Sequence, residues 1–126
     1  MVEKIKLVQG DTKPALIVSL TDEVTGAAIG LNGCTVRMLF RAVGTYTTLA
    51  VLDGVLLLGN ANADGTLDFA SPFNVAGTGG RIQFNWGPTD LDQPADNYEG
   101  EIEILYPDGA KQTVFDLLKF KLREDF

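Results

Sequence analysis

Residues 98–106 read Tyr98-Glu99-Gly100-Glu101-Ile102-Glu103-Ile104-Leu105-Tyr106, and this stretch decides the fold. Tyr98, Gly100, Ile102, Ile104 and Tyr106 recur at every second residue, with Glu99, Glu101 and Glu103 between them. A strand sends successive side chains to opposite faces, so the pattern predicts one apolar face and one carboxylate face. A helix would scatter the three glutamates around its circumference. The stretch reads as a β-strand.

Downstream lies Pro107-Asp108-Gly109. Proline fixes φ, Asp closes the turn and Gly is free to turn left-handed, which predicts a type I turn with a glycine bulge. A return strand then runs from about residue 111 to near residue 124. Folding back around Asp108-Gly109 pairs Ile104 with Thr113 and Ile102 with Phe115, which turns Phe115 inward. Further on, Leu118, Phe120 and Leu122 form the apolar set, with Lys119, Lys121 and Arg123 as the wet one. The inward parity therefore changes, and the pattern predicts one extra residue, as a β-bulge or strand break near Asp116-Leu117. The basic stripe is expected beside the glutamate stripe.

Upstream the same rhythm recurs. Ile82, Phe84 and Trp86 alternate with Arg81, Gln83 and Asn85. Cys34, Val36, Met38 and Phe40 point one way, and Thr35, Arg37, Leu39 and Arg41 the other. Leu16, Val18 and Leu20 alternate after Pro14, and Ile5 and Leu7 alternate with Lys4 and Lys6. Residues 46–52 and 55–58 flank Asp53-Gly54, a dipeptide suited to a tight hairpin. Residues 66–69 read as a short strand, 71–80 as a long surface loop and 87–97 as an acidic, proline-containing loop. No segment carries a helical period. The expectation is one domain over residues 1–126: all-β, an antiparallel immunoglobulin-like β-sandwich of about seven to nine strands.

Bulk properties bound the function. The 126 residues, 45% hydrophobic and 21% charged, suit one globular core rather than disorder. Net charge is −7, from 17 acids and 10 bases, and such a surface repels phosphate, which argues against direct nucleic-acid binding. The start, Met-Val-Glu-Lys, lacks the apolar core of a signal peptide, and no apolar run is long enough to span a bilayer. Synthesis in a cytoplasm and no membrane insertion are expected. Cys34, the single cysteine, reads as a small buried hydrophobe. With no histidine the chain lacks the commonest general base, and it shows no Ser-His-Asp set, phosphate-cradling glycine loop or zinc spacing. Neither an enzyme nor a cofactor is expected.

Three constellations remain. Asn60, Asn62 and Asp64, before Gly65, match the first half of a calcium loop, but the loop opens on Asn and Ser71 stands where a bidentate glutamate is needed. A hairpin of good turn formers explains the stretch equally well. Asp90 and Asp92, with Asp96 and Glu99, form a wet acidic loop that would suit a basic partner surface. Leu39 and Leu49 look outward and Tyr46 sits in a threonine-rich stretch, so these three are candidate contacts with another chain.

Taken in order, several motifs resemble a known family. They are Gln9-Gly10-Asp11-Thr12, then Leu31-Asn32-Gly33-Cys34-Thr35-Val36-Arg37-Met38, Ile82-Gln83-Phe84-Asn85-Trp86, an Asp-rich loop, and Tyr98-Glu99-Gly100-Glu101-Ile102-Glu103-Ile104 before an Asp-Gly turn. The chain resembles the immunoglobulin-like N-terminal domain of phage baseplate upper proteins and related small virion proteins. That domain carries a glycine before the tyrosine, where this chain has Asn97, and it normally heads a longer polypeptide. The resemblance implies a non-enzymatic structural protein of a tailed-phage virion, in the tail, baseplate or head–tail region, made in the host cytoplasm. It would assemble in many copies with itself and with other virion proteins. The other readings kept open are a carbohydrate- or host-receptor-binding sandwich and a capsid decoration protein.

Overall fold

The structure is a computed structural model that describes residues 4–22, 24–114 and 117–125. The alternation at residues 98–106 appears as the longest strand, β8 (Asp96–Leu105). Tyr98, Ile102 and Ile104 on its inner face are at most 3% exposed. The other strands are β1 (Ile5–Val8), β2 (Leu16–Ser19), β3 (Thr35–Ala42), β4 (Ala50–Leu56), β5 (Asn60–Ala61), β6 (Leu67–Asp68), β7 (Arg81–Phe84), β9 (Lys111–Thr113) and β10 (Leu118–Arg123). There is no helix among the described residues.

The main sheet runs β1-β10-β8-β3-β4-β7-β2, with β9 on β8, while β5 and β6 pair separately. It is curled. Trp86, just past β7, meets Phe120 of β10 with ring centroids 5.7 Å apart, although three strands separate β7 from β10 in the sheet order. Only a sheet folded back on itself brings those rings together. Leu20, Val36, Met38, Phe40, Leu52, Ile82 and Phe84 join them in one buried cluster.

Antiparallel pairing holds everywhere except at one edge. β1 lies parallel to β10, with Ile5 opposite Phe120 and Leu7 opposite Leu122. Parallel neighbours need a long connection, and here nearly the whole chain runs between them. The sheet is therefore mixed, which corrects the antiparallel expectation.

Asp53-Gly54 makes no turn. Both residues lie inside β4, whose first half pairs with β3 and whose second half pairs with β7. Glycine serves the crossing. A Cβ at Gly54 would sit 2.6 Å from Ile82 Cγ2 and 3.0 Å from the Val36 carbonyl oxygen. The dipeptide has hairpin chemistry, but the close approach of two layers claims the glycine instead.

The return strand also differs from expectation. Residues 107–109 form a three-residue connection, with Tyr106 N–H donating to the Ala110 carbonyl and Gly109 at φ +89°. The extra residue is thus spent in the turn. Thr113 pairs with Glu103, not Ile104, and Val114 N–H reaches the Ile102 carbonyl. Val114, Leu118, Phe120 and Leu122 then share one parity, so no change of face is needed. A break does separate β9 from β10. Between the Glu103–Thr113 and Gly100–Leu118 pairs, three steps on β8 match five on the return strand, which leaves two extra residues rather than one. Phe115, expected inward, and Asp116, expected at the bulge, lie outside the described residues.

The 71–80 loop is less superficial than its composition suggests. Its end is buried at Gly77, Gly79 and Gly80, and it exchanges backbone hydrogen bonds with Leu20, Leu31 and Leu57. Those bonds tie the ends of β2 and β4 and the chain before β3 together at the start of β7.

Candidate assembly interface

The outer face of β3, β8 and β4 carries the surface most suited to contact. Leu39, half-buried on β3, lies directly opposite Val51 on one side and Glu101 on the other. Val51 is 51% exposed, Leu49 39% and Val43 49%. Leu39 and Val51 share one side of the β3–β4 pair. Val43 and Leu49 follow the same parity just past its end, held by Val43 N–H to the Asn97 carbonyl and Leu49 N–H to the Phe40 carbonyl, with Leu49 diagonal to Leu39. Tyr46, in the loop joining β3 to β4, is 98% exposed. Leu39, Leu49 and Tyr46 were legible as outward positions. Val43 and Val51 were missed, although the alternation of Val51 with buried Leu52 held the signal.

Beside this apolar strip the charges neutralise one another. Glu99 accepts hydrogen bonds from Arg41 Nε at 2.9 Å and Lys119 Nζ at 3.2 Å. Glu103 accepts from Arg37 Nε at 2.7 Å and forms an ion pair with Lys111 Nζ at 2.9 Å. Glu99 and Glu103 are thus each clasped by one cation from β3 and one from the return strand. The two glutamates are buried, and only the return-strand half of the arrangement was expected.

These contacts set an acid sensitivity. The bond from Arg41, then Lys119, holds the Glu99 carboxyl below its ordinary value against the opposing effect of burial. Lys111, then Arg37, does the same for Glu103. Both groups titrate lower folded than unfolded, so the stability they add is complete above the unfolded value and drains as pH falls through the folded one. The urea midpoint should therefore fall on acidification below about pH 5. An E99Q/E103Q variant should be weaker than the parent at neutral pH and show a smaller fall with acid. Parallel midpoint-against-pH curves for the two chains would contradict this.

Asp90 and Asp92 lie elsewhere, in the loop between β7 and β8. Asp90 Oδ2 accepts the Gly87 N–H at 2.6 Å, Asp92 N–H donates to the Thr89 carbonyl, and Leu91 between them is 2% exposed. The loop is a tight turn pinned by a buried leucine, with Asp92 open to water. It does not join the Leu39 strip.

The Asn60, Asn62 and Asp64 set closes on itself. Asn60 pairs with Asp68 across β5–β6, Asn62 Nδ2 donates to Thr66 Oγ1, and Asp64 Oδ1 accepts both the hydroxyl and the N–H of Thr66. Those bonds from Thr66 hold the Asp64 carboxyl below its ordinary value. The Cys34 thiol is half-buried and pushed up by burial and then by the Asp108 charge, which keeps it protonated at neutral pH. No group of three or more His, Cys, Asp or Glu able to hold a metal occurs among the described residues. No helix among them is long and apolar enough to cross a membrane.

No family model matches the chain, and neither a curated protein nor a solved structure matches it significantly.

Proposed function

We propose that this chain is a non-enzymatic structural protein of a tailed-phage particle, built as an immunoglobulin-like sandwich and assembling in many copies in the tail, baseplate or head–tail region. The observation that carries the reading is the Leu39, Val43, Leu49 and Val51 strip on the outer face of the sheet. Apolar side chains gathered on β3, β4 and the loop that joins them, beside glutamates already paired within the chain, have the composition of a contact core with a polar rim. The motif resemblance supplies the particle, and the strip supplies a place for a neighbour to sit.

Support for the sandwich type comes from Tyr98. It stands near the start of β8 and its hydroxyl donates to the Pro94 carbonyl four residues upstream, as in the tyrosine corner of immunoglobulin-like domains. A sugar-binding reading has less behind it, because Trp86 is 5% exposed and packed among Phe40 and Phe120.

The test is incorporation. Particles purified from infected cells should contain the chain in many copies by quantitative mass spectrometry. An L39E/V51E chain supplied in its place should fold but stay out of the particle. Absence of the parent chain from purified particles overturns the proposal.

A further inference from the structure

The charge ladder on the outer face is complete at two rungs and open at a third. At the first, Glu103 sits between Arg37 and Lys111; at the second, Glu99 sits between Arg41 and Lys119. One step further along β8 the central position is Asn97, not a carboxylate. Lys121 of β10 lies opposite it, and Lys6 of β1 lies opposite Lys121. The Asn97 amide oxygen is already taken by Lys4 Nζ at 2.9 Å. Among the described residues no carboxylate forms an ion pair with Lys6 or Lys121, and both side chains are exposed. Like charges directly opposite on neighbouring strands destabilise a sheet. A chain of net charge −7 nonetheless places them together.

The same molecule carries a matching surface. The turn after β1 and the turn before β8 are joined by Gly10 N–H to the Leu91 carbonyl and Gln9 Nε2 to the Gln93 carbonyl. Asp125 N–H donates to Gln9 Oε1 beside them. This brings Asp11, Asp92 and Asp125 to one tip, all exposed and none in a salt bridge among the described residues.

We infer that the Lys6–Lys121 rung receives the Asp11, Asp92 and Asp125 tip of a second copy, whose own rung receives the tip of the first. Rung and tip adjoin on one edge, so two copies related by a two-fold axis satisfy both at once, and the contact closes as a dimer. This inference rests on the assembly reading and adds a second, electrostatic surface to the apolar strip. An extended phosphate polymer suits the rung less well, since the acidic tip borders it on the same edge.

Sedimentation velocity on the full chain and two charge variants, K6E/K121E and D92K/D125K, tests it, with Trp86 emission reporting that each is folded. The parent should self-associate, and raising salt should weaken that association, because exposed ion pairs are screened. Each variant alone should associate about tenfold more weakly, and an equimolar mixture should recover a one-to-one pair, since each retains the half the other lacks. The inference is overturned if the parent stays monomeric at low salt. It is equally overturned if K6E/K121E associates like the parent, if the mixture gains nothing, or if an oligonucleotide but not poly-glutamate competes for the rung. Association that ignores salt and disappears in L39E/V51E belongs to the apolar strip, and would leave the proposed function standing while this contact falls.

Discussion

Phe40→Ala should lower the stability of the chain by about 3–5 kcal/mol. Phe40 has no exposed surface, and its ring stacks on Tyr98 at 5.1 Å while meeting Trp86 at 5.3 Å and Phe120 at 5.5 Å edge-on. Those partners come from β8, from the chain after β7 and from β10, so the ring joins both sides of the curl. Its removal loses the transfer free energy of an aromatic side chain and leaves a hole that neighbours on three segments cannot jointly close. Domains of this size are stable by about 5–15 kcal/mol, so the loss is a large fraction of the total. Urea unfolding followed by the emission of the single tryptophan measures it. Tyr46→Ala, at a 98% exposed position, should stay within about 0.5 kcal/mol of the parent. A Phe40→Ala loss no larger than that would mean the layers do not meet at this ring.

Gly79→Ala should cost about 3 kcal/mol, the upper end for overpacking. A Cβ there would lie 1.9 Å from the Gly59 carbonyl oxygen and 2.9 Å from Asn60 Cα. Both are backbone atoms, so no rotamer change relieves the clash, and the loop must lift from the start of β5. Gly65→Ala makes the comparison: its φ is +88° but nothing lies within 4 Å of the added carbon. That variant should carry only the left-handed backbone cost of about 1–2 kcal/mol. Equal melting temperatures for the two variants would place the 71–80 loop away from β5.

The alternation was readable because one face of each long strand is buried and the other is not. Val36, Met38 and Phe40, Ile82, Phe84 and Trp86, and Tyr98, Ile102 and Ile104 all stand at the buried positions their spacing predicts. What resisted reading depends on contacts distant in sequence. The Asp53-Gly54 pair has the local chemistry of a turn, and only the approach of Ile82 and Val36 makes it a crossing. The register of β9 hinged on whether two or three residues span the turn, and a one-residue difference moved Thr113 from the inner to the outer face. Arg37 and Arg41 were visible as a wet stripe, but that they clasp Glu103 and Glu99 follows from β3 pairing with β8, which no local pattern announces. The parallel β1–β10 edge was hidden for the same reason. At the candidate interface, Leu39 and Leu49 were legible from parity, whereas the open rung at Lys6 and Lys121 needed the pairing of three strands.

A reconstruction of intact particles at side-chain resolution bears most directly on the account. It should place many copies of this curled sheet in the tail, baseplate or head–tail region, with Leu39 and Val51 covered by a neighbouring chain. Particles without the domain, or copies whose Leu39–Val51 face looks onto open solvent, would contradict it.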